Sequence, residues 1–90
     1  MAKANVDPAE LRRFAQHLVK FNRELEQMMS AMNARTQELT QSWQDQEQRK
    51  FAEELHGTFR SLGRFVQSAE EHAAFLNKKA AHVEQYLNQR

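Results

Sequence analysis

After Pro8 the chain has no further proline, and its only glycines are Gly57 and Gly63. A stretch of more than eighty residues so poor in helix breakers has little besides helix to form. One helix of that length would have nothing against which to bury an apolar stripe, so the chain must turn back on itself. The place to turn is Ser42-Trp43-Gln44-Asp45, which holds the only tryptophan and lies between two long amphipathic stretches. The expected fold class is therefore all-α, a two-helix antiparallel hairpin within a single unit spanning residues 1–90. Helix 1 is expected over about 8–41, the turn over 42–45 and helix 2 over about 46–87.

Start signals agree with this division. Asp7 suits an N-cap, Pro8 the first helical position, and Glu10 three residues after the cap makes an acidic variant of the capping box. Asp45, with Gln48 three residues later, repeats the cap pattern for helix 2, and Ser42 with Asp45 is a rival pair. Along helix 1 the apolar positions run Leu11, Phe14, Leu18, Phe21, Leu25, Met28 and Met32, in alternating steps of three and four. That is the spacing of a coiled-coil seam. The next position is Arg35, which is kept on the flank. A shift of one residue restores the seam through Thr36, Leu39 and Trp43. Helix 2 reads Phe51, Leu55, Phe59 (or Thr58), Leu62, Val66 (or Phe65), Ala69, Ala73, Leu76, Ala80, Val83 and Leu87. Gly57 and Gly63 fall inside this run, either as tolerated helix glycines or as a point of close helix approach. Val19 and Met29 on helix 1, and Phe65 and Phe75 on helix 2, add apolar surface beside the seam. A lone hairpin needs one stripe per helix, so the surplus points to a second contact surface and to dimerisation into a four-helix bundle.

Several function classes are poorly supported. Thirteen basic residues face twelve acidic ones, and each half of the chain is nearly balanced, so no basic face marks a nucleic-acid footprint. No apolar run approaches a membrane span. The start, Met1 to Pro8, has no apolar core of a secretory signal peptide, and synthesis in the cytoplasm is expected. Cysteine is absent, which removes disulfides, thiolate nucleophiles and cysteine metal ligands. Glu53-Glu54-Leu55-His56 has the Glu-X-X-His spacing of carboxylate di-metal bundles, but with Leu55 facing inward both ligands would point away from the core. His17, His72 and His82 read as flank residues. Ser30, Ser42, Ser61 and Ser68 sit in no nucleophile elbow, and no glycine-rich phosphate loop occurs. Arg60 and Arg64 are balanced by Glu70 and Glu71. No enzymatic activity, cofactor or metal is expected.

The chain resembles the WXG family, small helical-hairpin proteins that are substrates of type VII secretion. The resemblance spans nearly all 90 residues. It rests on length, on the tryptophan turn between two long helices, on Leu39 four residues before Trp43 and on Phe51 eight residues after it. It implies a hairpin that pairs with itself or with a paralogous hairpin, export by a type VII-like route, and contact with secretion machinery or a larger secreted client. It also marks Trp43, Gln44 and Asp45 as the turn motif, with Trp43 serving packing alone or packing together with partner recognition. Two departures matter. Asp45 stands where the family has glycine. The family's tail signal, tyrosine followed four residues later by an acid, meets Tyr86 and Arg90 here, a degenerate signal of opposite charge. An intracellular helical adaptor or chaperone for a secreted client is therefore the alternative function.

Overall fold

The computed structural model describes residues 6–88 and contains two helices, α1 (Pro8–Ser42) and α2 (Gln46–Asn88), packed against each other as an antiparallel hairpin. The rod measures 69 × 17 × 14 Å. Helix α1 starts where Asp7 Oδ1 accepts a 2.9 Å hydrogen bond from the Ala9 N–H, with Pro8 in the first turn. Glu10 reaches forward rather than back and pairs with Arg13 at 2.6 Å. At the open end of the hairpin Arg12 grips Glu84 with two hydrogen bonds, Nη2 to Oε1 at 2.7 Å and Nε to Oε2 at 3.3 Å. This link raises the Arg12 pKa and lowers that of Glu84, the direct hydrogen bond being the main cause in both. The pair is solvent-exposed, and such pairs contribute little to stability.

The interior is narrow. Ala15 on α1 and Val66, Ala69, Ala73 and Ala80 on α2 are the buried apolar residues, and no large side chain among the described residues is fully buried. Alanine at these positions lets two long helices approach closely, but it supplies little apolar area. Leu11, Leu18, Leu25 and Met29 on α1, with Leu55, Phe59, Leu62, Leu76 and Val83 on α2, are half-buried around this strip. The accessible surface is 7396 Å², whereas a compact monomer of 10.6 kDa would show about 5,500 Å². The hairpin therefore leaves roughly a third more surface in water than a self-sufficient domain would.

Two features of α1 differ from the seam expected there. The hairpin's own interface runs through Leu11, Ala15, Leu18, Asn22, Leu25 and Met29, so Met29 belongs to it. Phe14, Phe21, Met28, Met32 and Leu39 stay exposed, as does Phe51 on α2. Steps of three and four are compatible with either neighbouring column of a helix, and the side chains that let α2 come close are the small Ala15 and the amide of Asn22. Asn22 is only 3% exposed. Its Nδ2 donates to the Val66 carbonyl at 3.0 Å, while its buried Oδ1 has no partner within the chain. Arg35 is exposed, as its place on the flank requires.

The glycines of α2 are not close-approach sites within the hairpin. A Cβ at Gly63 would meet nothing within 4 Å, and one at Gly57 would make only ordinary contact, 3.9 Å, with the flexible end of Arg60. Neither has a positive φ. Gly63→Ala should therefore stabilise the chain by about 0.5–1 kcal/mol, through the helix propensity and the unfolded-state entropy of glycine. Urea denaturation with an unchanged m-value checks this; a loss of stability would show that the backbone at Gly63 is needed bare.

Candidate functional site

The turn is built from a short network of backbone and side-chain hydrogen bonds. Helix α1 ends as Trp43 leaves helical geometry (φ −139°, ψ 103°) while its N–H still donates to the Leu39 carbonyl at 3.0 Å. Ser42 Oγ donates back to the Leu39 carbonyl as well, so Ser42 closes α1 and does not cap α2. Asp45 is the cap of α2. Its Oδ1 accepts from the Gln48 N–H at 2.9 Å and its carbonyl accepts from the Arg49 N–H at 3.2 Å. Gln48 is buried, and its side chain crosses the turn instead of closing the capping box: Nε2 donates to Thr40 Oγ1 at 3.2 Å. Thr40 in turn donates to the Thr36 carbonyl at 2.9 Å. One polar chain thus ties the start of α2 to the last turn of α1.

Above this strap lies an aromatic pair. Trp43 is half-buried, and its ring centroid is 5.8 Å from that of Phe51 with the planes 37° apart. Leu39, one turn before Trp43, is exposed. Leu39, Trp43 and Phe51 therefore place apolar surface at the apex, where the hairpin has few other side chains to cover it. Gln44 is exposed. No described residue has a positive φ, so the position of Asp45 does not demand glycine, and a carboxylate there satisfies a helix N-terminus.

The Asp45 pKa is lowered chiefly by the Gln48 backbone N–H; desolvation opposes this, and the Trp43 side chain, the Glu47 backbone and the Arg49 charge add to it. A depressed carboxylate contributes stability that is fully present above its unfolded pKa, near 4, and lost as pH falls through the lower folded value. Glu84 acts in the same direction. The melting temperature should fall on acidification below about pH 5. Asp45→Asn, which keeps a capping oxygen without a titrating proton, should flatten part of that descent while changing the neutral-pH value little. Thermal melts from pH 7 to 2 check it, and an unchanged acid limb would remove Asp45 from the account.

The second candidate surface is a face of the rod. Phe14, Phe21 and Met28 recur every seven residues on α1, and Phe51 and Phe65 stand fourteen apart on α2. The Phe21 and Phe65 rings meet edge to face at 6.0 Å and 81°, which places the two rows side by side. Phe21, Met28, Phe65 and Phe75 each keep between 47% and 65% of their surface exposed. Val19 does not join them. It lines a shallow groove with Ala15, Gln16, Arg23 and Asn77.

The remaining candidates stand apart. Tyr86 is exposed near the end of α2, and Arg90 lies outside the described residues. Glu53, His56 and the other histidines are exposed, and no group of three metal-ligating side chains occurs among the described residues. No helix among them is long and apolar enough to cross a membrane. Sequence reasoning missed the two buried amides, Asn22 and Gln48, because polar residues leave no mark on an apolar pattern.

Comparison with known proteins bears on this architecture. The model of the WXG100 family, described as proteins of 100 residues with WXG, matches residues 3–86. Comparison with curated proteins finds no match. WXG100 proteins are small helical type VII secretion substrates, not enzymes, and they commonly pair with themselves or with related WXG proteins. With a tryptophan turn between two packed helices and a match over nearly its whole length, the chain belongs to the WXG100 family, Asp45 standing at the glycine of the motif that names it.

Proposed function

We propose that the protein is a type VII secretion substrate, or the co-secreted partner of one, and that it acts by laying its helices on another helical hairpin to form a four-helix bundle. The observation that carries this reading is the exposed face around Phe21 and Phe65. Large apolar side chains lie outside while alanines fill the interior, the reverse of what a self-sufficient monomer needs. The apex formed by Trp43, Gln44 and Asp45 is then free at the end of the bundle, where secretion machinery or a larger client has access to it.

One sequence feature favours a second reading, an intracellular adaptor or chaperone that holds a secreted client. Arg90 stands where the family's tail signal carries an acid, so export would depend on a partner's signal. The test compares culture supernatant with cytosol in wild-type and secretion-deficient strains. Appearance in the supernatant of the wild type alone supports the substrate reading. Retention in the cytosol of both strains supports the adaptor.

A further inference from the structure

We propose that the partner on the phenylalanine face is a second copy of this chain, turned end for end about a two-fold axis that crosses α1 at Phe21 and α2 at Phe65. The proposal rests on the helix-pairing reading above and adds the identity and register of the partner.

The argument starts from the order of residues along the exposed column of α1. At steps of seven it reads Asp7, Phe14, Phe21, Met28, Arg35, and all five are exposed. This order is self-complementary about Phe21. Laid antiparallel on its own copy, the column sets Phe21 on the partner's Phe21, Phe14 on the partner's Met28, and Asp7 on the partner's Arg35. The two-fold repeats each unlike contact, so two acid–base pairs close the ends of one apolar stretch. The adjacent column of α2 reads Phe51, Thr58, Phe65, His72, Lys79, again all exposed. About Phe65 it sets Phe51 on the partner's Lys79, a cation against an aromatic face, and Thr58 on the partner's His72. Because Phe21 and Phe65 touch within one chain, a single axis serves both columns.

The flanks agree. In this register His17 approaches the partner's Glu24 and Glu47 approaches the partner's His82, with no like charges opposed. Packed instead with both apices at one end, α1 would lie on the partner's α2 and Glu38 would face the partner's Glu47. The area also suffices. The surplus over a compact monomer, 7396 Å² against about 5,500 Å², exceeds the about 800 Å² that each partner gives to a standard interface.

The chain has no cysteine, so engineered thiols report the register directly. Under mild oxidation Phe21→Cys should form a disulfide-linked dimer at least about tenfold faster than Phe14→Cys or Met28→Cys alone, because only residue 21 meets its own copy at high effective concentration. A mixture of Phe14→Cys and Met28→Cys chains, which keeps Phe21 in place, should cross-link to a mixed dimer as fast as Phe21→Cys does. Light scattering on the unmodified chain should report two copies at tens of micromolar. Preferred cross-linking of Phe21→Cys to Phe65→Cys would overturn the antiparallel register. A monomer in light scattering would overturn the second copy as partner. If that monomer forms a one-to-one bundle with a co-expressed paralogous hairpin, the helix-pairing reading still stands. If it pairs with neither and is not exported, that reading fails too.

Discussion

Ala80→Leu should open the hairpin at the end away from the turn. Ala80 has no exposed surface and sits in the strip where α1 and α2 come closest. A leucine there has no volume to occupy, so it must push the helices apart or leave its preferred rotamer, at a cost of about 1–3 kcal/mol. For a chain of this size each kcal/mol shifts the melting temperature by about 4–8 °C. The expected drop is therefore several degrees to about twenty degrees. The neighbouring Ala81→Leu, on the exposed side, is the control and should be close to neutral. Paired thermal melts decide it. Equal effects at the two positions would mean that the alanine strip is not close-packed.

Trp43→Ala should cost about 1–3 kcal/mol, less than the roughly 3–5 kcal/mol of a fully buried tryptophan, because the indole is half-buried. Its main partner, Phe51, is itself exposed, so the loss falls on the apex. Hydrogen exchange should quicken near the turn and stay slow around Val66, since the strap from Asp45 through Gln48 to Thr40 does not use the indole's apolar surface. Comparison with Leu62→Ala separates two roles. If Trp43→Ala lowers the melting temperature as much as Leu62→Ala, the tryptophan is core. If it stays folded and dimeric but no longer leaves the cell, the apex is a recognition surface.

How much of this was legible in the sequence follows from the chemistry of particular residues. The hairpin was legible because proline and glycine are nearly absent, and because Asp7 and Asp45 each offer a capping carboxylate just before a long amphipathic run. The choice of inward column on α1 was not. Leu11, Leu18 and Leu25 border both the column through Phe14, Phe21 and Met28 and the one through Ala15, Asn22 and Met29. Hydrophobicity favours the first, whereas close approach of α2 favours the second, where side chains are small or can bond to a carbonyl. The turn motif was visible as a pattern, but its mechanics were not. Gln48 reads as half of a capping box, and only the fold brings Thr40 within its reach.

The excess surface has a consequence for the life of the molecule. A rod with an alanine interior holds its shape in proportion to what covers its flank, and anything that binds only the folded form stabilises it by mass action. Melting temperature should therefore climb with protein concentration, and dilution should loosen the helices before any chemical change occurs. A protein of this build is robust in a crowded compartment where it is made and paired. It becomes pliable once released into a large volume, where its phenylalanines are free to find other surfaces.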